Sequence, residues 1–217
     1  MIHLDATYSA PREAGVVYTR AWMVELVLDL AGYLPKRRLG EMVAMEPSAG
    51  DGAFLSAMVR RLVESCARHG IALAGVGRAI QAFEIDPAAA ERAVRVVCET
   101  LGALRVPTAT AAKLARQWIQ TGDFLEASLC FPIADFVIGN PPYIRLEEIP
   151  ARKAAMYRHG FSAMRGRADI YVAFYQPCSS SRLAGFAPIS APTAGCSTTT
   201  AARCANSSPP RDSASGM

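Results

Sequence analysis

The stretch FVIGNPPYIR, residues 136–145, sets a strongly apolar run directly against an amide, two prolines and an aromatic ring. Phe136, Val137 and Ile138 read as a core strand. Pro141 and Pro142 cannot donate to a sheet ladder, so the chain leaves the sheet there. The turn then presents the Asn140 side chain, free carbonyls and the face of Tyr143. An aromatic amine is a poor nucleophile because its lone pair is delocalised into the ring. Two acceptors on its hydrogens, the Asn140 side-chain oxygen and the Pro141 carbonyl, favour a pyramidal nitrogen with its lone pair aimed outward. No general base is then needed. Tyr143 would stack on the ring, worth roughly 1–3 kcal/mol per base, and the prolines stiffen the backbone that carries the acceptors. A rigid turn is the plainer account of the prolines taken alone.

Upstream, MVAME (42–46) and IQAFEID (80–86) read as strands and ADFVIGN (134–140) as a third. Between them, AFLSAMVRRLVESCARHG places Leu55, Met58, Leu62 and Cys66 on one helical face, with Gly70 as a stop. Asp86-Pro87 is an N-cap with proline at the first helical position, opening a helix to about Gly102. A further helix is expected over roughly 109–120. RAWMVELVLDLA (20–31) carries Met23, Leu26, Val27 and Leu30 at helical spacing, with Thr19 placed as its N-cap. Strands alternating with helices predict an α/β fold, a mostly parallel sheet with helices on both faces.

Two strand ends carry candidate ligands. EPSAGDGAFL (46–55) holds Gly50 and Gly52, which let a ligand lie against the backbone at a helix N-terminus; tight turns use such a pair as well. Glu84 at the end of the second strand is placed to grip a ribose diol, while Asp86 is accounted for by its helix cap. In TGDFL (121–125), Asp123 can accept from an exocyclic amine and Phe124 can pack on a ring face, with a surface turn as the alternative. The cations of 144–167 (Arg145, Arg152, Lys153, Arg158, Arg165, Arg167) suit phosphate contact or a solvated helical face equally.

The 217 residues are 51% hydrophobic and 19% charged, with a formal net charge of +4. That suits one globular domain with a sizeable core and permits a nucleic-acid partner without requiring one. Glu25 and Asp29 interrupt the longest apolar stretch, so no membrane span is expected, and no secretory signal is visible; a cytoplasmic location follows by default. Six cysteines at irregular spacing, without a C-x-x-C pair and with three isolated histidines, argue for buried thiols rather than a metal site or a disulfide framework. Residues 1–176 read as the folded part. From 177 to 217 the chain turns to Ser, Thr, Ala, Pro and Gly without either period, the mark of a disordered tail or of out-of-frame translation.

Taken together, these motifs resemble the S-adenosylmethionine-dependent adenine-N6 DNA methyltransferases of restriction–modification systems, in the subgroup whose cofactor motifs precede the catalytic one. GVVYTR (15–20), EPSAGDGAFL, AFEID, TGDFL and NPPY follow in that subgroup's order, across roughly residues 12–176, and RADIYVAFYQ (167–176) resembles the helix that comes next. Arg20 stands where the family has proline. The resemblance implies a Rossmann-like class I methyltransferase fold, incomplete on its C-terminal side. It implies S-adenosylmethionine as cofactor, its methionine part held by Thr19, Glu46, Pro47, Ala49, Gly50 and Gly52. Glu84 would take the ribose hydroxyls, Ile85 would lie against the adenine ring, and Asp123 and Phe124 would contact that adenine. Asn140, Pro141, Pro142 and Tyr143 would receive an adenine flipped out of double-stranded DNA. A restriction subunit or domain is an implied partner, and no metal or membrane is.

No further strands or target-recognition region are recognisable after residue 177. The NPPY strand is therefore expected to lie at an apolar sheet edge, and this chain alone is expected to be poorly soluble and inactive on DNA. Two other functions fit the motifs: a methyltransferase for a protein glutamine or an RNA guanine, since the acceptors see only an amine, and a non-catalytic cofactor-binding remnant. A dehydrogenase would leave NPPY unexplained.

Overall fold

The computed structural model describes residues 19–128, 134–142, 144–164, 170 and 173–174, and the backbone of 183–186. Its centre is a five-stranded parallel sheet in the order β3-β2-β1-β4-β5. The strands are β1 (Ala44–Glu46), β2 (Ile80–Glu84), β3 (Ile119–Thr121), β4 (Phe136–Gly139) and β5 (Leu183–Phe186). The helices are α1 (Ala21–Ala31), α2 (Ala53–His69), α3 (Pro87–Ala103), α4 (Thr108–Trp118), α5 (Phe124–Ser128) and α6 (Ala151–Gly160).

Side-chain alternation along each strand feeds two cores, one on each face of the sheet. Ala44, Ile80, Ala82, Phe136 and Ile138 join α1–α4 in the larger core. Met45, Phe83 and Val137 point the other way, to Phe124, Leu125, Tyr157 and Phe174. The helix ends follow local chemistry. Gly70 caps α2 in the left-handed conformation, and Asp86 accepts the Ala88 N–H at the start of α3, with Pro87 in its first turn. Inside the larger core, Ser65 Oγ accepts the Leu39 N–H at 3.0 Å and donates to the Arg37 carbonyl at 2.6 Å.

Three features differ from the sequence expectation. The buried face of α1 is Val24, Val27, Leu28 and Ala31, while Leu26 and Leu30 are exposed, the latter at 76%. Ion pairs fix that rotation: Glu25 and Asp29 face Arg61 of α2 at 2.5 and 2.8 Å. Arg20, not Thr19, occupies the N-cap of α1. The helix expected over 109–120 stops at Trp118, whose buried indole N–H donates to the Val76 carbonyl, and the chain passes straight into β3.

The fourth difference lies in the C-terminal segment. β4 is not an edge: β5 pairs with it in parallel register from Phe136–Leu183 to Gly139–Phe186. A strand of four residues in a Ser- and Ala-rich segment leaves no periodic trace, because the ladder it joins needs only its backbone. Among the described residues no helix is long and apolar enough to cross a membrane, and no group of three His, Cys, Asp or Glu could hold a metal. Cys66 is buried and Cys98 partly so, and both are free thiols; the other four cysteines lie outside the described residues.

Candidate active site

Because all five strands are parallel, their carboxyl ends share one edge of the sheet. The chain runs outward from β1 through β2 to β3, then returns to the other side of β1 as β4. The order therefore reverses between β1 and β4, the place where open α/β sheets leave a crevice for ligands. Glu46 ends β1 on one side of it, and Asn140 follows β4 on the other.

The two sides are in contact. A Cβ at Gly139 would stand 3.3 Å from Pro47 Cδ and 3.6 Å from Glu46 Cγ, so the missing side chain lets the turn after β1 lie against the end of β4. Glu46 is 1% exposed and its Oε2 has no hydrogen-bond partner. Burial, reinforced by the negative charges of Glu84 and Asp51, pushes its carboxyl well above the ordinary range. Asn140 donates through Nδ2 to Thr19 Oγ1 at 3.5 Å, and its Oδ1 is buried without a partner. Among the described residues only Tyr33 Oη shares that condition, so two of three orphaned polar atoms flank the switch point. Pro141 is buried and Pro142 half-buried; Tyr143 lies outside the described residues.

Glu84 holds the neighbouring turns together. Its Oε2 accepts the Gly50 N–H at 2.8 Å and its Oε1 the Asp86 N–H at 2.9 Å, while its carbonyl accepts the Gly122 N–H. The Phe83 carbonyl accepts the Ala49 N–H at 2.8 Å. Gly50 and Gly52 adopt φ of +56° and +87°, and a Cβ at Gly52 would meet the Ala93 Cα of α3 at 3.3 Å. Thr19, Glu46, Pro47, Ala49, Gly50, Gly52, Glu84 and Asn140 are thus gathered around the carboxyl ends of β1, β2 and β4. Ile85 stands half-exposed just beyond the end of β2.

Phe124 is 3% exposed, edge-on to Phe83 and stacked on Phe174 inside the smaller core. Asp123 caps α5 through Oδ1, which accepts the Leu125 N–H at 3.0 Å. Its Oδ2 takes Lys153 Nζ at 2.9 Å and the Tyr157 hydroxyl, both from α6. Burial opposes the Lys153 charge, but Asp123 and then Glu126 outweigh it and hold the ammonium above the usual lysine range. Sequence reasoning missed this cluster. Lys153 was one cation among six, and nothing in the spacing joins Tyr157 to an acid 34 residues upstream.

Comparison with known proteins gives these motifs a setting. Residues 120–183 match the Eco57I restriction-modification methylase family. The chain is 43% identical over 172 residues to the Type II methyltransferase M.XhoI of Xanthomonas vasicola and 38% identical over 174 residues to M.PaeR7I of Pseudomonas aeruginosa. These alignments take in 77% and 79% of this chain but 31% and 30% of the relatives, so the chain spans about a third of their length. It is thus homologous to Type II methyltransferases over most of its length. Among solved structures, the ATP-dependent Type ISP restriction-modification enzyme LlaBIII bound to DNA overlays 80% of this chain and 15% of its own, with a TM-score of 0.54 at 17% identity. A nuclease-deletion mutant of LlaGI in complex with a DNA substrate mimic overlays 79% of this chain and 20% of its own, also at 0.54 with 18% identity. At that identity the likeness concerns the fold.

Proposed function

We propose that this chain carries the cofactor and catalytic elements of an S-adenosylmethionine-dependent adenine-N6 DNA methyltransferase of a restriction–modification system. The observation that carries the reading is the pair of buried, unpartnered acceptors, Glu46 Oε2 and Asn140 Oδ1, on either side of the sheet's switch point. Leaving a buried acceptor unpaired costs about 1–3 kcal/mol, so each is a standing demand for a donor. An ammonium group answers the first and an aromatic amine the second.

The residues present fit the cofactor. Glu46, Pro47, Ala49, Gly50, Gly52 and Thr19 would hold its methionine part, with the Glu46 carboxylate facing the α-ammonium. Glu84 has acceptor capacity left on both oxygens after its two backbone bonds, which suits the ribose hydroxyls. Ile85 would lie against the adenine ring, and Asp123, with Phe124 buttressing it from the core, would meet the exocyclic amine. When bound, S-adenosylmethionine supplies an electrophilic methyl group. Asn140 Oδ1 and the Pro141 carbonyl accept the two hydrogens of the target amine and turn its lone pair outward. Pro142 fixes that backbone, and Tyr143 stacks on the flipped base.

Type II methyltransferase relatives and the DNA-bound overlays support DNA as the substrate class. The test is a chimera in which residues 19–176 replace the matching part of the 43%-identical relative. The expected product is N6-methyladenine in duplex DNA, with label transferred from the cofactor. A folded chimera that labels a peptide or RNA and leaves DNA unlabelled would overturn the assignment.

A further inference from the structure

Asp123 follows the carboxyl end of β3, beside the proposed cofactor residues, and its carboxylate reaches α6, the helix that follows the NPPY turn. The Gly122 N–H donates to the Glu84 carbonyl, which fixes the residue before it to the end of β2. The Asp123 carboxylate has about four acceptor positions, and three are filled: Leu125 N–H on Oδ1, and Lys153 Nζ and the Tyr157 hydroxyl on Oδ2. Its side chain is 9% exposed, so these are charge-assisted bonds shielded from water. Lys153 and Tyr157 occupy successive turns of α6 on the same face, as a spacing of four requires. The short segment Ile144–Pro150, which joins the catalytic turn to α6, is tied to the smaller core by Leu146 and Ile149.

We propose that Lys153 and Tyr157 are positioning residues that act through Asp123, so that a cofactor adenine meeting Asp123 also seats α6 and the segment leading to it from the catalytic turn. The proposal rests on the cofactor reading above. An exocyclic amine on the fourth acceptor position holds the carboxylate in one rotamer. Both α6 donors then have a fixed target, and opening of the helix away from the sheet becomes rarer. Cofactor occupancy is thereby communicated to the part of the chain that must receive the base, which favours cofactor binding before DNA.

Hydrogen exchange on the 217-residue chain, with and without saturating S-adenosylhomocysteine, tests it. In the wild-type chain the ligand should slow exchange both at residues 49–56 and at 144–160. Tyr157→Phe and Lys153→Met should keep the response at 49–56 and lose the one at 144–160, changing it by about tenfold. Lys153→Arg, which retains the charge and a donor, should restore it. Circular dichroism of each variant should match the wild type. A response at 49–56 without one at 144–160 in the wild type, or an undiminished response in both Tyr157→Phe and Lys153→Met, overturns the relay alone. No response at either segment overturns the cofactor reading and the relay with it.

Discussion

Glu84 Oε2 accepts the backbone N–H of Gly50 at 2.8 Å, joining the acidic end of β2 to the glycine turn after β1 across 34 residues of chain. The same carboxylate takes the Asp86 N–H. Glu84→Ala strands both part-buried donors, and a hydrogen bond to a charged group contributes about 1.5–3 kcal/mol, less where water can reach the donor. Urea denaturation should show a loss of roughly 2–4 kcal/mol. Glu84→Gln, which keeps one oxygen, should lose about half of that.

The buried acid at Glu46 predicts a pH dependence of definite sign. An unfolded glutamate ionises near pH 4.3, whereas burial and the charges of Glu84 and Asp51 hold the folded carboxyl well above that. Between the two values the folded chain binds the extra proton, so its stability falls as pH rises. Glu46→Gln should flatten that slope and raise the melting temperature at pH 8, by about 2–4 °C per kcal/mol for a chain of this size. Thermal unfolding at a series of pH values checks it.

The same substitution should act oppositely on cofactor affinity. Pairing with an ammonium requires the ionised form of Glu46, so binding should strengthen with pH and release a proton. Calorimetry in buffers of different ionisation enthalpy should report that release in the wild type and none in Glu46→Gln. Loss of a charge-assisted bond should weaken binding about tenfold or more.

Much of this arrangement could be read from residue order. Gly70, the Asp86-Pro87 cap, the α2 stripe and the apolar run before Asn140 each act locally, so their signals sit within a few residues of one another. What stayed hidden depends on distant partners. The rotation of α1 is set by Arg61, the end of α4 by the Trp118–Val76 bond, and the role of Asp123 by two side chains on α6. β5 escaped because its ladder is backbone alone. Glu84 was legible as an acid at a strand end, but its structural duty was not, because the N–H groups it holds carry no sequence signature.

Asn140→Ala should separate binding from chemistry. Its Oδ1 is the acceptor proposed for the target amine, while the proposed cofactor contacts are made by other residues, of which Thr19 meets Asn140 only through a long 3.5 Å bond. In the chimeric enzyme the turnover number should fall by about 10²–10³. S-adenosylhomocysteine affinity should stay within about threefold, a change below the 1.4 kcal/mol of a factor of ten.

The two glycines of the turn should respond unequally. Gly50 and Gly52 share a positive φ, which costs an L-residue roughly 1–2 kcal/mol. A Cβ at Gly50 meets nothing within 4 Å, but one at Gly52 presses on the backbone of α3 at 3.3 Å. Gly50→Ala should therefore fold with a modest stability loss, and Gly52→Ala should lose distinctly more, measured by the same urea titration.

The central strand has a consequence for synthesis. β1 is flanked by partners from both later parts of the chain, and Val43 is bonded to Asp135 across 92 residues. Such non-local pairing is slow to form. A nascent chain on the ribosome can shape the glycine turn early, yet it cannot lay Pro47 against Gly139 until β4 has emerged. The contact between the two strand ends thus forms only after β4 has been made, and the growing polypeptide passes through a stage in which the glycine turn exists without the strand end that will lie against it.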